Sequence, residues 1–166
     1  MCETTPSDND ARPDFFISFT KPDQEWARWI VDLIKEVVNE DGQPCRALYQ
    51  EDDFVPGTNW IHLIDKGLRQ CRRVLPILSP AYLEDSQYGA AEWQAAWSKD
   101  PNGLLRHLVP VRVLSCQPAG LLGAIVHIDL VGLRKDAARA ALLLGLDAAI
   151  RGPRRRRAAA PFPGPH

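Results

Sequence analysis

The run Arg73-Val74-Leu75-Pro76-Ile77-Leu78-Ser79 is apolar at consecutive positions. A strand points successive side chains to opposite faces, so a strand here needs cover on both sides. That is the condition of a central strand in a parallel sheet with helices above and below it. Pro76 is the discordant residue: it has no amide to donate, belongs at a sheet edge, and predicts interrupted pairing in that strand.

The flanking segments alternate to match. Asp14-Phe15-Phe16-Ile17-Ser18-Phe19 is a short aromatic and β-branched run. After Lys21-Pro22-Asp23 the period changes, and Trp26, Trp29, Ile30, Leu33, Ile34, Val37 and Val38 share one helical face. Asn39 to Pro44 breaks the helix, and Arg46-Ala47-Leu48-Tyr49 reads as a second strand. A polar loop, Gln50 to Thr58, leads to a helix from Asn59 to about Cys71, with Trp60, Ile61, Ile64 and Leu68 at helical spacing and Asn59 as its cap. Pro80 to Ser98 reads as helical with a break near Glu84-Asp85-Ser86. Leu105 to Val113 and Ala124 to Leu130 read as strands, and Arg134 to Ile150 as an amphipathic helix.

This alternation predicts an α/β fold, a flavodoxin-like open sandwich whose five-stranded parallel sheet, in order 2-1-3-4-5, is flanked by helices. A chain of 166 residues holds one such domain. We expect it over 14–150, with a disordered segment over 1–13 and an Arg-, Pro- and Ala-rich tail or linker over 151–166. The formal charge of -1 includes five arginines from Arg151 onward, so the body is mildly acidic. It is not built to cover the phosphates of a duplex, although the tail alone would bind polyanions weakly. The polar, acidic opening is no signal peptide and no apolar run reaches membrane-spanning length, so a soluble cytoplasmic protein is expected.

In an open α/β sheet a ligand binds beyond the carboxyl ends of the strands, where the strand order reverses. Here that point lies between the first and third strands, at Ser18-Phe19-Thr20-Lys21 and Ser79-Pro80, with the loop Glu51 to Asn59 overhanging it. Downstream of Ser79, the run Ser86-Gln87-Tyr88-Gly89-Ala90-Ala91-Glu92-Trp93 places Glu92 in a helical stripe with Tyr88, Ala91, Ala95 and Ala96. A carboxylate in an apolar stripe is paired or employed, and Glu92 is the first candidate for chemistry.

Other chemistries lose their support. The chain has no Gly-x-Gly-x-x-Gly, no phosphate-binding Walker loop, no His-Glu-x-x-His and no Gly-x-Ser-x-Gly elbow. His62, His107 and His127 show no shared spacing. Cys2, Cys45, Cys71 and Cys116 form no metal-ligand pattern, and Cys45 and Cys71 read as small apolar residues rather than nucleophiles. No metal and no bound cofactor is expected.

Taken in order, these motifs resemble those of a Toll/interleukin receptor (TIR) domain in its bacterial form, over nearly all of Asp14 to Ile150. Asp14 to Phe19 is similar to the family's opening strand. Asp52-Asp53-Phe54-Val55-Pro56-Gly57-Thr58 is similar to its BB loop, Leu78 to Leu83 to its third strand and helix start, and Ser86 to Trp93 to its glutamate motif. The resemblance implies cleavage of NAD+ as substrate at the nicotinamide-ribosyl bond, with Glu92 catalytic. It further implies that Ser18, Phe19, Thr20, Lys21, Asp53, Phe54 and Tyr88 line the substrate site, and that the BB loop is a mobile lid meeting a neighbouring subunit. Tyr88 stands where several NAD-cleaving relatives have tryptophan, and Gly89 where cysteine is frequent. The implied partners are NAD+, other TIR domains in an oligomer or filament, and a sensor domain or protein. The implied role is bacterial immune signalling against phage. Two other readings stay open: a non-catalytic TIR adaptor, and a flavodoxin-like module for another nucleotide.

Overall fold

A computed structural model describes residues 12–49, 67, 69–86 and 107–152. Five strands, β1 (Phe15–Ser18), β2 (Ala47–Leu48), β3 (Arg73–Leu78), β4 (Val111–Arg112) and β5 (Ile128–Asp129), form one sheet in the order β2-β1-β3-β4-β5. Every pairing is parallel. The described helices are α1 (Gln24–Ile34), α2 (Pro80–Ser86), α3 (Gly120–Ala124) and α4 (Lys135–Arg151), with a 3-10 turn at Lys21–Asp23 before α1. This is the flavodoxin-like arrangement expected from the strand and helix alternation.

The pleat sorts the core. Phe15, Ile17, Phe19, Leu75, Ile77, Val109, Val111 and Val113 face α1 and α4. From α4 they meet Ala138, Leu142, Leu146 and Ile150, which recur every four residues along one stripe. On the opposite face Leu78 packs with Tyr82 of α2 and with Cys116. Phe16 lies there too, against Gly67, where a Cβ would come 2.5 Å from the Phe16 ring. Phe16 is buried and its ring is rigid, so Gly67→Ala is expected to destabilise the fold by about 1–3 kcal/mol through overpacking, read as a fall in urea midpoint with an unchanged slope.

β3 is central despite Pro76, and the ladder records why. Arg73 N donates to Asp14 O, whereas Val74 O and Leu78 O accept from Val109 N and Val113 N. Even-numbered residues of β3 therefore turn their backbone groups toward β4, and the donor Pro76 lacks would have faced β4. Pairing on that side breaks there, between the isolated Val74–Leu108 bridge and the Ile77–Val111 pair.

Other boundaries shift for similar reasons. The expected strand Leu105–Val113 reduces, among the described residues, to the Leu108 bridge and Val111–Arg112. The expected strand Ala124–Leu130 begins only at Ile128, because Ala124 closes α3. Gly123 permits that helix: a Cβ there would lie 2.6 Å from Pro118 O. Pro110 O accepts from Ile128 N, so the missing amide of Pro110 also faces β5 and offers no rung for an earlier start. α1 ends at Ile34 rather than Val38; Val37 closes a turn onto Ile34 O, and Val38 bridges Pro44. α2 runs from Pro80 to Ser86, and the remainder of the helical region expected beyond Glu84-Asp85-Ser86 lies outside the described residues. Of the helix expected over Asn59–Cys71, Gly67, Arg69 and Gln70 are described and helical. The expected terminal segments fall almost wholly on 1–11 and 153–166, outside the described residues.

At the amino end of the sheet, Asp14 gathers three segments. Its carboxylate accepts from Arg46 N at 2.8 Å and from Asn39 Nδ2 at 3.3 and 3.4 Å, with Arg72 Nε 3.9 Å away. Arg72 in turn holds Glu40 and Asp41, and Arg73 holds Glu40. Burial pushes the Glu40 carboxyl up, but the Arg73 hydrogen bond and the nearby guanidinium charges outweigh it and hold Glu40 below the ordinary carboxylate value.

Candidate functional site

The strand order sets the carboxyl ends of β1 and β3 side by side, with Ser18 registered against Pro76. A buried polar network spans the two ends. Ser18 Oγ and Tyr82 Oη share a hydrogen bond of 3.0 Å. Thr20 Oγ1 donates to Asp23 Oδ2 at 2.8 Å, and Ser79 Oγ donates to the same oxygen. Ser79 Oγ also accepts from Tyr82 N at 3.1 Å, which caps α2 with Pro80 as its first residue. Asp23 is 2% exposed, and the other four residues are also buried. A carboxylate removed from water needs donors, and these hydroxyls supply them.

Asp23 stands at the N-cap position of α1, yet its side chain makes no capping bond to its own helix. Its acceptor capacity is directed across the sheet instead.

Of the residues expected to bind substrate, four are described. Ser18 is buried and bonded to Tyr82. Phe19, 1% exposed, stacks on Tyr49 with ring centroids 5.1 Å apart and belongs to the core. Thr20 is 1% exposed and bonded to Asp23, whereas Lys21 is exposed at the mouth of the switch point. Glu92, Tyr88, Asp53 and Phe54, with the whole BB loop, lie outside the described residues. The sequence reading missed Asp23 and the roles of Ser79 and Tyr82. A local signal existed in the Thr20-x-x-Asp23 spacing and in Ser79-Pro80, which has the form of a helix start, but nothing local joins them.

Beside this network, Arg112 clasps Asp129 at 2.7 and 3.2 Å and donates to Cys116 O at 3.0 Å. The Arg112 hydrogen bond holds the Asp129 carboxyl below its ordinary value, against a small opposing effect of burial. His107 Nδ1 lies 2.7 Å from Arg72 O, at the amino end of β3 and away from the switch point. Among the described residues, no group of three His, Cys, Asp or Glu side chains is arranged to hold a metal ion.

The described cysteines are free and buried. Burial, reinforced by the Asp14 charge, pushes the Cys45 thiol up to about 12, and burial pushes Cys71 up to about 11. At pH 8 almost no thiolate forms at either, so alkylation of Cys45 and Cys71 by iodoacetamide is expected only on unfolding. Mass mapping of adducts in native and urea-treated protein checks this; rapid native labelling at either position would contradict it.

The TIR domain family profile matches residues 15–144. Among solved structures, the TIR domain of the Toll-related receptor TRR-2 from Hydra magnipapillata superposes with a TM-score of 0.54 at 18% identity, covering 84% of this chain and 98% of that one. A TIR-STING receptor from C. gigas, solved in complex with 2',3'-cGAMP, gives 0.48 at 21% identity over 80% of this chain, which spans 39% of that receptor. No curated protein matches the chain. At these identities the structural likeness concerns the fold. No helix of the described residues is long and apolar enough to cross a membrane. The profile covers most of the chain, and the sheet has the expected order: this chain belongs to the TIR domain family.

Proposed function

We propose that the protein is a cytoplasmic NAD+ glycohydrolase, cleaving the nicotinamide-ribosyl bond with Glu92 as its catalytic residue. The observation that carries this reading is the glutamate motif Ser86 to Trp93, which begins at the last residue of α2 in a chain of the TIR domain family. Nicotinamide leaves NAD+ as a neutral molecule from a cationic ring, so no general acid is needed. Glycosidases that expel an alkoxide need two carboxylates; this reaction needs one. The carboxylate of Glu92 holds the ribose hydroxyls and stabilises the positive charge that builds at the anomeric carbon. Tyr88, Asp53 and Phe54 contact the substrate, Tyr88 beside the nicotinamide ribose, while Lys21 reaches toward the pyrophosphate. Attack by water gives ADP-ribose, and internal attack gives a cyclic isomer.

The enzyme works in signal transduction and antiphage defence, controlled by association with other TIR domains and by a sensor. The second reading is an adaptor that only docks onto other TIR domains. The burial of Phe19 and Thr20 favours it, since neither side chain is presented to a ligand in this structure.

Product analysis separates the readings. Concentrated protein, with crowding agent, is incubated with NAD+ and nicotinamide and its co-product are quantified alongside Glu92→Ala. Release by wild type alone supports the enzyme, and the co-product distinguishes hydrolase from cyclase. Silence from both supports the adaptor.

A further inference from the structure

Two corners flank the switch point, Phe19 to Asp23 after β1 and Ser79-Pro80 after β3. They are far apart in sequence and tied together twice, by Ser18 with Tyr82 and by Asp23 with Ser79. We infer that Asp23 is a positioning residue: by holding the Ser79 hydroxyl it locks the start of α2 to the β1 corner, and so sets the aim of the segment that leads in sequence to Glu92.

The hydrogen-bond geometry supports this division of labour. A hydroxyl has one proton, and Ser79 gives it to Asp23; its remaining lone pairs are then free to cap Tyr82 N. Without the carboxylate the Ser79 rotor loses its reference and the cap loses its fixed direction. Asp23 itself does not cap α1, and its negative charge lies at that helix's start, where it is tolerated. Thr20 donates to the same oxygen and holds the carboxylate in its rotamer. The same network fixes the backbone around Lys21, because Asp23 N donates to Thr20 O at 2.9 Å across that residue. Side-chain hydrogen bonds thus join both edges of the switch point.

The catalytic consequence rests on the NAD+ reading, whereas the lock itself does not, and the experiment separates them. Amide exchange is followed at Tyr82 and Leu83, whose N–H groups bond to Ser79 Oγ and Ser79 O. In Asp23→Ala their exchange is expected to rise about 10- to 100-fold, the range for losing a hydrogen bond to a charged group, with Leu75 and Ile77 unchanged. Asp23→Asn, whose amide oxygen can still accept from Ser79, is expected to restore protection. The Asp23→Ala/Ser79→Ala double variant is expected to be no worse than Ser79→Ala, because both act through one bond. Tyr82→Phe removes one oxygen only and serves as the second variant; it breaks the other tie and gives a smaller rise at Leu83. Unchanged exchange at Tyr82 and Leu83, or an equal rise at Leu75 and Ile77, overturns the lock.

The second measurement is nicotinamide release. With active wild type, Asp23→Ala is expected to lower kcat by about tenfold or more at little-changed KM, with Asp23→Asn restoring it. A wild-type kcat in Asp23→Ala overturns the positioning role and leaves the NAD+ reading intact. A silent wild type strikes the NAD+ reading, and the lock is then decided by exchange alone.

Discussion

Glu92→Gln is expected to lower the kcat for nicotinamide release by about 10²- to 10³-fold, the scale of losing one preorganised electrostatic contact at a transition state. Glutamine keeps the size of the side chain and one carbonyl oxygen, so it can still accept from a ribose hydroxyl. It lacks the full negative charge that the proposed mechanism sets against the cation forming at the anomeric carbon. Binding of ground-state NAD+ is therefore expected to change little, with the loss concentrated in kcat. Initial rates across a range of NAD+ concentrations, with far-UV circular dichroism to show an intact fold, give the split. A glutamine variant as fast as wild type would remove the charge of Glu92 from the mechanism. The same ratio at high and low protein concentration would separate a chemical defect from an assembly defect.

The second large effect falls at the other end of the sheet. Asp14→Ala is expected to cost about 2–4 kcal/mol of stability, the result of leaving two donors unsatisfied beside a buried position. Asp14 is 2% exposed and serves Arg46 N and Asn39 Nδ2 directly. Alanine leaves both donors without that acceptor and removes one of the three carboxylates around the Arg72 guanidinium. The loss spreads because Asp14 joins the approach to β1, the approach to β2 and the turn after α1. Asp14→Asn keeps one acceptor oxygen and is expected to cost less, placing the three proteins in the order wild type, Asn, Ala by urea midpoint. A cost below about 1 kcal/mol for alanine would show that Asn39 and Arg46 find other partners, the behaviour of an exposed site.

What the sequence made legible was governed by range. The apolar run at Val74 to Leu78 and the amphipathic pattern of Arg134 to Ile150 express burial through neighbours on the same element, and they point to the central strand and the last helix; the sheet order follows from the alternation of strands with helices. The length of β5 was not legible, because it depends on which way Pro110 turns its missing donor, a matter of pairing with a remote strand. Asp23 was hidden for the same reason: between Pro22 and Gln24 it reads as a turn residue, and its partner Ser79 is 56 positions away. The switch-point rule and the family resemblance place Phe19 and Thr20 in the substrate site, whereas their burial follows from Tyr49 and Asp23, which no periodicity connects to them. Glu92 and Tyr88 came from an apolar stripe and a family motif.

The two outermost strands, Ala47–Leu48 and Ile128–Asp129, have only two residues each. A border that short exposes few unpaired backbone groups on which a foreign strand could grow. Copies of this domain at high local concentration then meet little sheet edge that would template cross-β aggregation. In the association with other TIR domains proposed above, side chains rather than main chain would then decide which partner is accepted, and the contact could be undone.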